Sequence, residues 1–63
     1  MSVGGNVRRI REERGMTQAE LAKKLCVAAP MICMIERGTT SPSLQLSKEL
    51  VEVLGIKFED LFK

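Results

Sequence analysis

The stretch M-T-Q-A-E-L at 16–21 constrains this chain more than any other. The Thr17 hydroxyl can accept the Glu20 amide while the Glu20 carboxylate reaches back to the Thr17 amide, satisfying two first-turn donors reciprocally. Met16 before the cap and Leu21 four residues into the helix have hydrophobic-staple spacing, which fixes the angle at which the chain enters. A helix therefore begins at Thr17, just after Gly15 has ended whatever precedes it.

The neighbouring segments carry helical punctuation of the same kind. Val3, Val7 and Ile10 recur at i, i+4 and i+7, which predicts a first helix over about 3–14, with Gly4 and Gly5 weakening its first turn. The helix begun at Thr17 runs to about Leu25, with Leu21, Ala22 and Leu25 on one face. A third helix over about 28–36 turns Val27, Ile32 and Ile35 inward and stops at Gly38. Pro30 falls in its first turn, where the missing N–H breaks no bond. T-T-S-P-S at 39–43 is a polar loop that also starts the fourth helix, through Ser41 or Ser43. Leu44, Leu50, Val51 and Leu54 line that helix and Gly55 ends it; Ile56, Phe58, Leu61 and Phe62 supply a short last helix. No strand alternation, internal repeat or linker intervenes. The expectation is an all-α fold of five short helices around one small core, with residues 1–63 as a single domain.

Sixty-three residues leave little room for a catalytic cleft beside a core. With no His, no Cys–His pair, no phosphate loop and no carboxylate pair in a pocket, an enzyme is not expected. Cys26 and Cys33 lie seven residues apart without a His partner, so neither a metal nor another cofactor is expected, and both fit as small apolar fillers. Nothing resembles a signal peptide, and the longest uncharged run, 26–35, contains a Pro and is too short to cross a bilayer. These features predict a cytoplasmic protein with reduced thiols and no membrane partner. The net charge of +2 divides unevenly, with six basic and three acidic side chains in residues 1–25 against four and five in 26–63. That asymmetry favours a polyanion approaching the N-terminal helices, although a solvated face of mixed charge accounts for the same counts.

A capped helix, a short break and a second helix with I-x-x-I inward make a helix-turn-helix pattern. With I-R-E-E-R-G-M-T-Q-A-E-L-A-K-K-L (10–25), I-C-M-I-E-R-G (32–38), P-S-L (42–44) and L-G-I-K-F-E-D-L-F (54–62), the chain resembles the phage-repressor and Cro-type helix-turn-helix family over about 3–62. The resemblance implies a lambda-repressor-like DNA-binding domain whose second and third helices form the motif. It implies a transcriptional regulator, a repressor or controller, that binds double-stranded DNA as a homodimer. Gln18 matches a residue that bonds a backbone phosphate, helped by the positive end of the helix dipole. Arg11 and Glu36 match a salt bridge that orients the reading helix. Arg37 with Thr39, Thr40 and Ser41 matches a second phosphate clamp, and Ala28, Ala29, Pro30, Met31, Cys33 and Met34 match the base-facing positions. Arg8, Arg9, Arg14, Lys23 and Lys24 are expected to be solvated surface that supplies an attractive field collectively.

Pairing would also add core to so small a domain. Leu46 and Val53 stand off the main stripe of the fourth helix and, with Phe58, Leu61 and Phe62, form the candidate dimer surface; the two Phe suit a core nearly as well.

The sequence departs from the family at the base-facing positions, where polar residues are usual and Ala, Pro, Met and Cys stand here. Met31 and Met34 lie off the Ile32/Ile35 stripe and are expected at the surface. Two readings remain open. Ala and Met can press on thymine methyl groups while phosphates and DNA deformability do the rest. Alternatively, Met31 and Met34 belong to a protein-binding face of an interaction module with no operator. Cys26 stands where the family commonly has Gly, at a helix-ending turn that tends to need positive φ. Lys57 stands where a capping Ser or Asp is expected, which leaves the last helix open to fraying.

Overall fold

The computed structural model describes residues 2–63. Four α-helices, α1 (Val3–Glu13), α2 (Gln18–Leu25), α3 (Ala29–Arg37) and α4 (Leu44–Leu54), are followed by a 3-10 helix at Phe58–Phe62. The fold is all-α, and the short last helix is a tight 3-10 turn. Three of the four α-helices start on a side-chain cap. Ser2 Oγ accepts the Gly5 amide (3.0 Å), Thr17 and Glu20 close both halves of their capping box (3.0 and 2.8 Å), and Ser43, not Ser41, accepts the Leu46 amide (3.1 Å). The Glu20 carboxyl is held below the usual range by its bonds to Thr17. Cys26 ends α2 at φ 59°, ψ 39°, the left-handed conformation that Gly38 and Gly55 supply elsewhere without strain. A side chain held there costs about 1–2 kcal/mol.

Val7, Ile10, Leu21, Ala22, Leu25, Ile32, Leu50, Leu54 and Leu61 form the buried cluster, so each α-helix contributes residues of its predicted face and the 3-10 turn adds Leu61. Three expectations are corrected. Leu44 is 65% exposed, because as the first residue of α4 it projects past the end of the core. Leu61, placed on the candidate dimer surface by its sequence position, is fully buried, because the 3-10 turn rotates it under α1 and α4 while Phe58 and Phe62 turn outward. Leu46 and Val53 are half-buried and pack on the core, which leaves them little free area for a partner.

The last turn is pinned rather than frayed. Asp60 Oδ2 accepts the Lys57 amide at 3.1 Å, standing in for the absent side-chain cap. From α1, the fully buried Asn6 donates through Nδ2 to the Leu61 carbonyl (2.7 Å) and the Lys63 carbonyl (2.9 Å). Gly4 does more than weaken a helix turn. It is buried where α1 crosses α3, and a β-carbon there would collide with the Ile35 carbonyl oxygen and lie 2.9 Å from that of Glu36. The two backbones come this close only because residue 4 has no side chain.

In an ordinary helix, Gly→Ala stabilises by about 1 kcal/mol. Gly4→Ala should reverse that sign and lower the thermal midpoint by roughly 5–20 °C, since backbone atoms cannot step aside as a side chain can. Gly5→Ala, one residue on and facing only Ser2 Oγ, should leave the midpoint unchanged or slightly raised. Equal responses in calorimetry would refute the close crossing.

Candidate nucleic-acid interface

The α2–turn–α3 unit is fixed by one carboxylate. Glu36, near the C-terminal end of α3, accepts Arg11 Nε at 2.7 Å through Oε2 and Arg11 Nη2 at 3.1 Å through Oε1. The same Oε1 accepts Gln18 Nε2 at 3.0 Å from the first residue of α2. Arg11 also donates through Nη1 to the Met16 carbonyl at 2.7 Å, tying in the loop between α1 and α2. The pair is dry, with 9% of the Arg11 and 3% of the Glu36 side chain exposed. The guanidinium pKa is raised above its ordinary value by the hydrogen bond to Glu36, with burial opposing, so Arg11 carries its charge at all working pH. Arg11 thus serves as an internal strut.

Gln18 is held differently from what a pure phosphate ligand requires. One of its two Nε2 hydrogens is engaged with Glu36, so the donors left at this end of α2 are the second Nε2 hydrogen and first-turn backbone amides, which precede any intrahelical acceptor. The Glu20 amide is already capped by Thr17.

On α3, Ile32 and Ile35 are buried, while Ala28, Pro30, Met31 and Met34 are exposed and Cys33 is half-buried. Ala29, grouped with the base-facing positions by sequence, instead packs partly against the core, because it begins the helix directly over the α2–α3 turn. The exposed face is poor in donors even along its backbone. Ala28 offers no side-chain cap, Pro30 has no amide hydrogen, and the Met31 amide donates to the Ala28 carbonyl at 2.9 Å.

At the end of α3 and in the loop after it, Arg37, Thr39 and Ser41 are exposed and Thr40 is half-buried. The loop amides of Thr39 and Thr40 both turn back onto the Met34 carbonyl, at 2.9 and 3.4 Å, so these two residues present hydroxyl groups rather than free amides. Among the described residues, Arg37, Lys23 and Lys24 make no ion pair, whereas Arg8 pairs with Glu12 (3.4 Å) and Arg9 with Glu13 (3.3 Å). Arg14, expected to be solvated, donates through Nε to the Leu54 carbonyl at 3.1 Å and so closes the end of α4. Neither that bond nor the Asn6 clamp was read from the sequence. A lone polar residue on an apolar stripe is the only signal Asn6 offers.

Two short helices locked at an angle, the second showing its outer face to solvent, define a helix-turn-helix protein. The sequence pattern of the helix-turn-helix family matches residues 7–61, and the chain belongs to that family. It is 43% identical over 56 residues to an HTH-type transcriptional regulator of Archaeoglobus fulgidus, covering 89% of this chain and 80% of the relative. It is 37% identical over 57 residues to the immunity repressor of Bacillus phage phi105, covering 90% of this chain and 40% of that one. The crystal structure of SinR, a master regulator for biofilm formation, in complex with DNA superposes with a TM-score of 0.89 at 31% identity, covering 97% of this chain and 98% of SinR.

Removing one partner of a buried ion pair leaves the other charge uncompensated, at about 3–5 kcal/mol. Arg11→Met should therefore remove most of the stability of a domain this small, as read by urea denaturation. Arg11→Met combined with Glu36→Leu should be markedly milder than the sum of the two single changes. Simple additivity would mean that the pair is not coupled.

Proposed function

We propose that this chain is a DNA-binding transcriptional regulator that holds duplex DNA mainly through phosphates and discriminates bases weakly. The observation that carries this reading is the outward face of α3, fixed by Glu36 and flanked by two groups suited to phosphate oxygens. The first is the amide-bearing start of α2 at Gln18, with the helix dipole behind it. The second is unpaired Arg37 with the hydroxyls of Thr39, Thr40 and Ser41. Between them, Ala28, Pro30, Met31, Cys33 and Met34 enter the major groove and offer apolar contact where relatives place polar groups. The likeness to SinR, solved on DNA, supports the same mode of docking. Among the described residues no helix is long and apolar enough to cross a membrane, in keeping with a cytoplasmic site of action.

The dimer follows from the same reading, since two-fold operators present half-sites a helical turn apart. The surface best suited to it is an apolar groove of about 300 Å³ lined by Val3, Pro42, Leu44, Ser47, Phe58 and Phe62. It replaces the Leu46/Val53/Leu61 part of the expected surface and keeps Phe58 and Phe62, whose ring centroids lie 5.3 Å apart with the planes tilted at 53°. A second use of the α3 face, favoured by the 40% exposure of both Met31 and Met34, is the capture of a protein partner in place of bases.

Fluorescence anisotropy with short duplexes tests the DNA reading. Log affinity should fall linearly with log salt, and Arg37→Ala should weaken binding on all sequences alike while reducing the slope by about 1. No binding at low salt would leave only the protein-partner reading standing. For the dimer, sedimentation equilibrium should show self-association that Phe62→Ser abolishes while circular dichroism shows the variant still helical. A monomer at millimolar concentration would refute the dimer.

A further inference from the structure

From the face of α3 we infer the chemical class of site this protein selects: duplex DNA marked by C5-methyl groups on pyrimidines, with thymine and 5-methylcytosine accepted alike. The inference rests on the DNA-binding reading above and sharpens it. A reading helix tells the four base pairs apart because each shows its own pattern of donors and acceptors in the major groove. Using that pattern requires donors or acceptors on the helix. Here the exposed side chains over the first two turns are Ala28, Pro30, Met31 and Met34, beside the half-buried Cys33 thiol, a weak donor at best. Arg37, in the last turn, is the one exposed strong donor among the described residues of α3 and is assigned to phosphate in the reading above. The backbone adds little, since Pro30 has no amide hydrogen and the Met31 amide is taken by Ala28. One feature of the major-groove floor remains legible to such a surface, the C5 methyl group.

Met31 and Met34 are each 40% exposed and stand three residues apart, on one face of α3. Unbranched, polarizable thioether chains adapt to a small apolar projection without exact shape matching. Thymine and 5-methylcytosine place the same methyl at the same ring position. They differ in the neighbouring group, an O4 acceptor against an N4 donor, and in the paired purine. A helix with strong donors or acceptors over these bases would separate them, and Met31 and Met34 offer none. Cytosine methylation would therefore create binding positions that unmethylated cytosine lacks.

The test begins with a preferred site obtained by selection from randomised duplexes. Four synthetic versions then carry thymine, uracil, cytosine or 5-methylcytosine at its pyrimidine positions, each with the matching complement, and binding is measured by anisotropy. Thymine and 5-methylcytosine duplexes should bind within about twofold of each other, and uracil and cytosine duplexes about fourfold more weakly for each methyl contacted. Met34→Ala should shrink the penalty at its position to under twofold. Uracil binding as well as thymine, or 5-methylcytosine as poorly as cytosine, would overturn the inference. So would salt-dependent DNA binding from which selection recovers no preferred site, although the DNA-binding reading would survive that result. Absence of binding to every duplex at low salt would overturn both.

Discussion

The arrangement depends on a carboxylate that water scarcely reaches. Glu36 sits near the end of α3 with 3% of its side chain exposed, and it is tolerable there because Arg11 and Gln18 bring it three hydrogen bonds. Such a pair adds little net stability over an apolar replacement, since both charges lose their hydration. What it provides is definition. Arg11 lies near the end of α1 and Gln18 at the start of α2, so one acceptor sets the relative positions of three helices. Gly4 makes this possible from the other end of α1. Seven residues before Arg11, and so on the same face two turns away, it lets the α1 backbone approach the Ile35 and Glu36 carbonyls.

The same network changes how the charge count should be understood. The excess of basic residues in the first 25 positions looks like a field for a polyanion, yet much of it is engaged locally. Arg8 and Arg9 face Glu12 and Glu13, Arg11 is buried, and Arg14 closes α4. Surface pairs of this kind are worth at most about 1 kcal/mol and can open to a phosphate, whereas Arg11 cannot without stranding Glu36. Lys23 and Lys24 sit in the last turn of α2, where they complement its dipole. The unpaired charge next to α3 is Arg37. The proposed attraction rests less on net charge than on one arginine and one helix start placed on either side of the same face.

Much of the fold was legible because local signals agreed with the global one. The 16–21 capping box, the staple and the spacing of Leu21, Ala22, Leu25, Ile32 and Ile35 each name the same two helices. Failures came where a residue's role depends on what crosses it in space. Gly4 reads as a helix weakener until α3 is seen against it, and Asn6 as an unremarkable polar residue until the Leu61 and Lys63 carbonyls are found facing it. Leu61 and the two Phe could not be sorted by period, because an element of five residues is too short to show one, and it is the packing against α1 and α4 that buries Leu61. Of the site, the α3 stripe placed Met31 and Met34 outside correctly. The engagement of Gln18 with Glu36, and of the Thr39 and Thr40 amides with Met34, depends on hydrogen bonds that no spacing rule predicts.

Departures from local rules gather around α3. It follows a strained left-handed Cys26, starts without a side-chain cap, carries Pro30 in its first turn and exposes two methionines. The other three α-helices all begin on capping hydroxyls. Sequences that specify one structure tend to break such rules at functional surfaces and compensate elsewhere. Here the compensation is visible: α3 is held by Ile32 and Ile35 beneath it, by Glu36 near its end and by Gly38 as its stop, none of which lies on the outer face. Residues on that face can therefore change without loosening the helix that presents them. Scaffold and specificity are physically separable in this chain, which is why so apolar a reading face can sit on an otherwise ordinary helix-turn-helix.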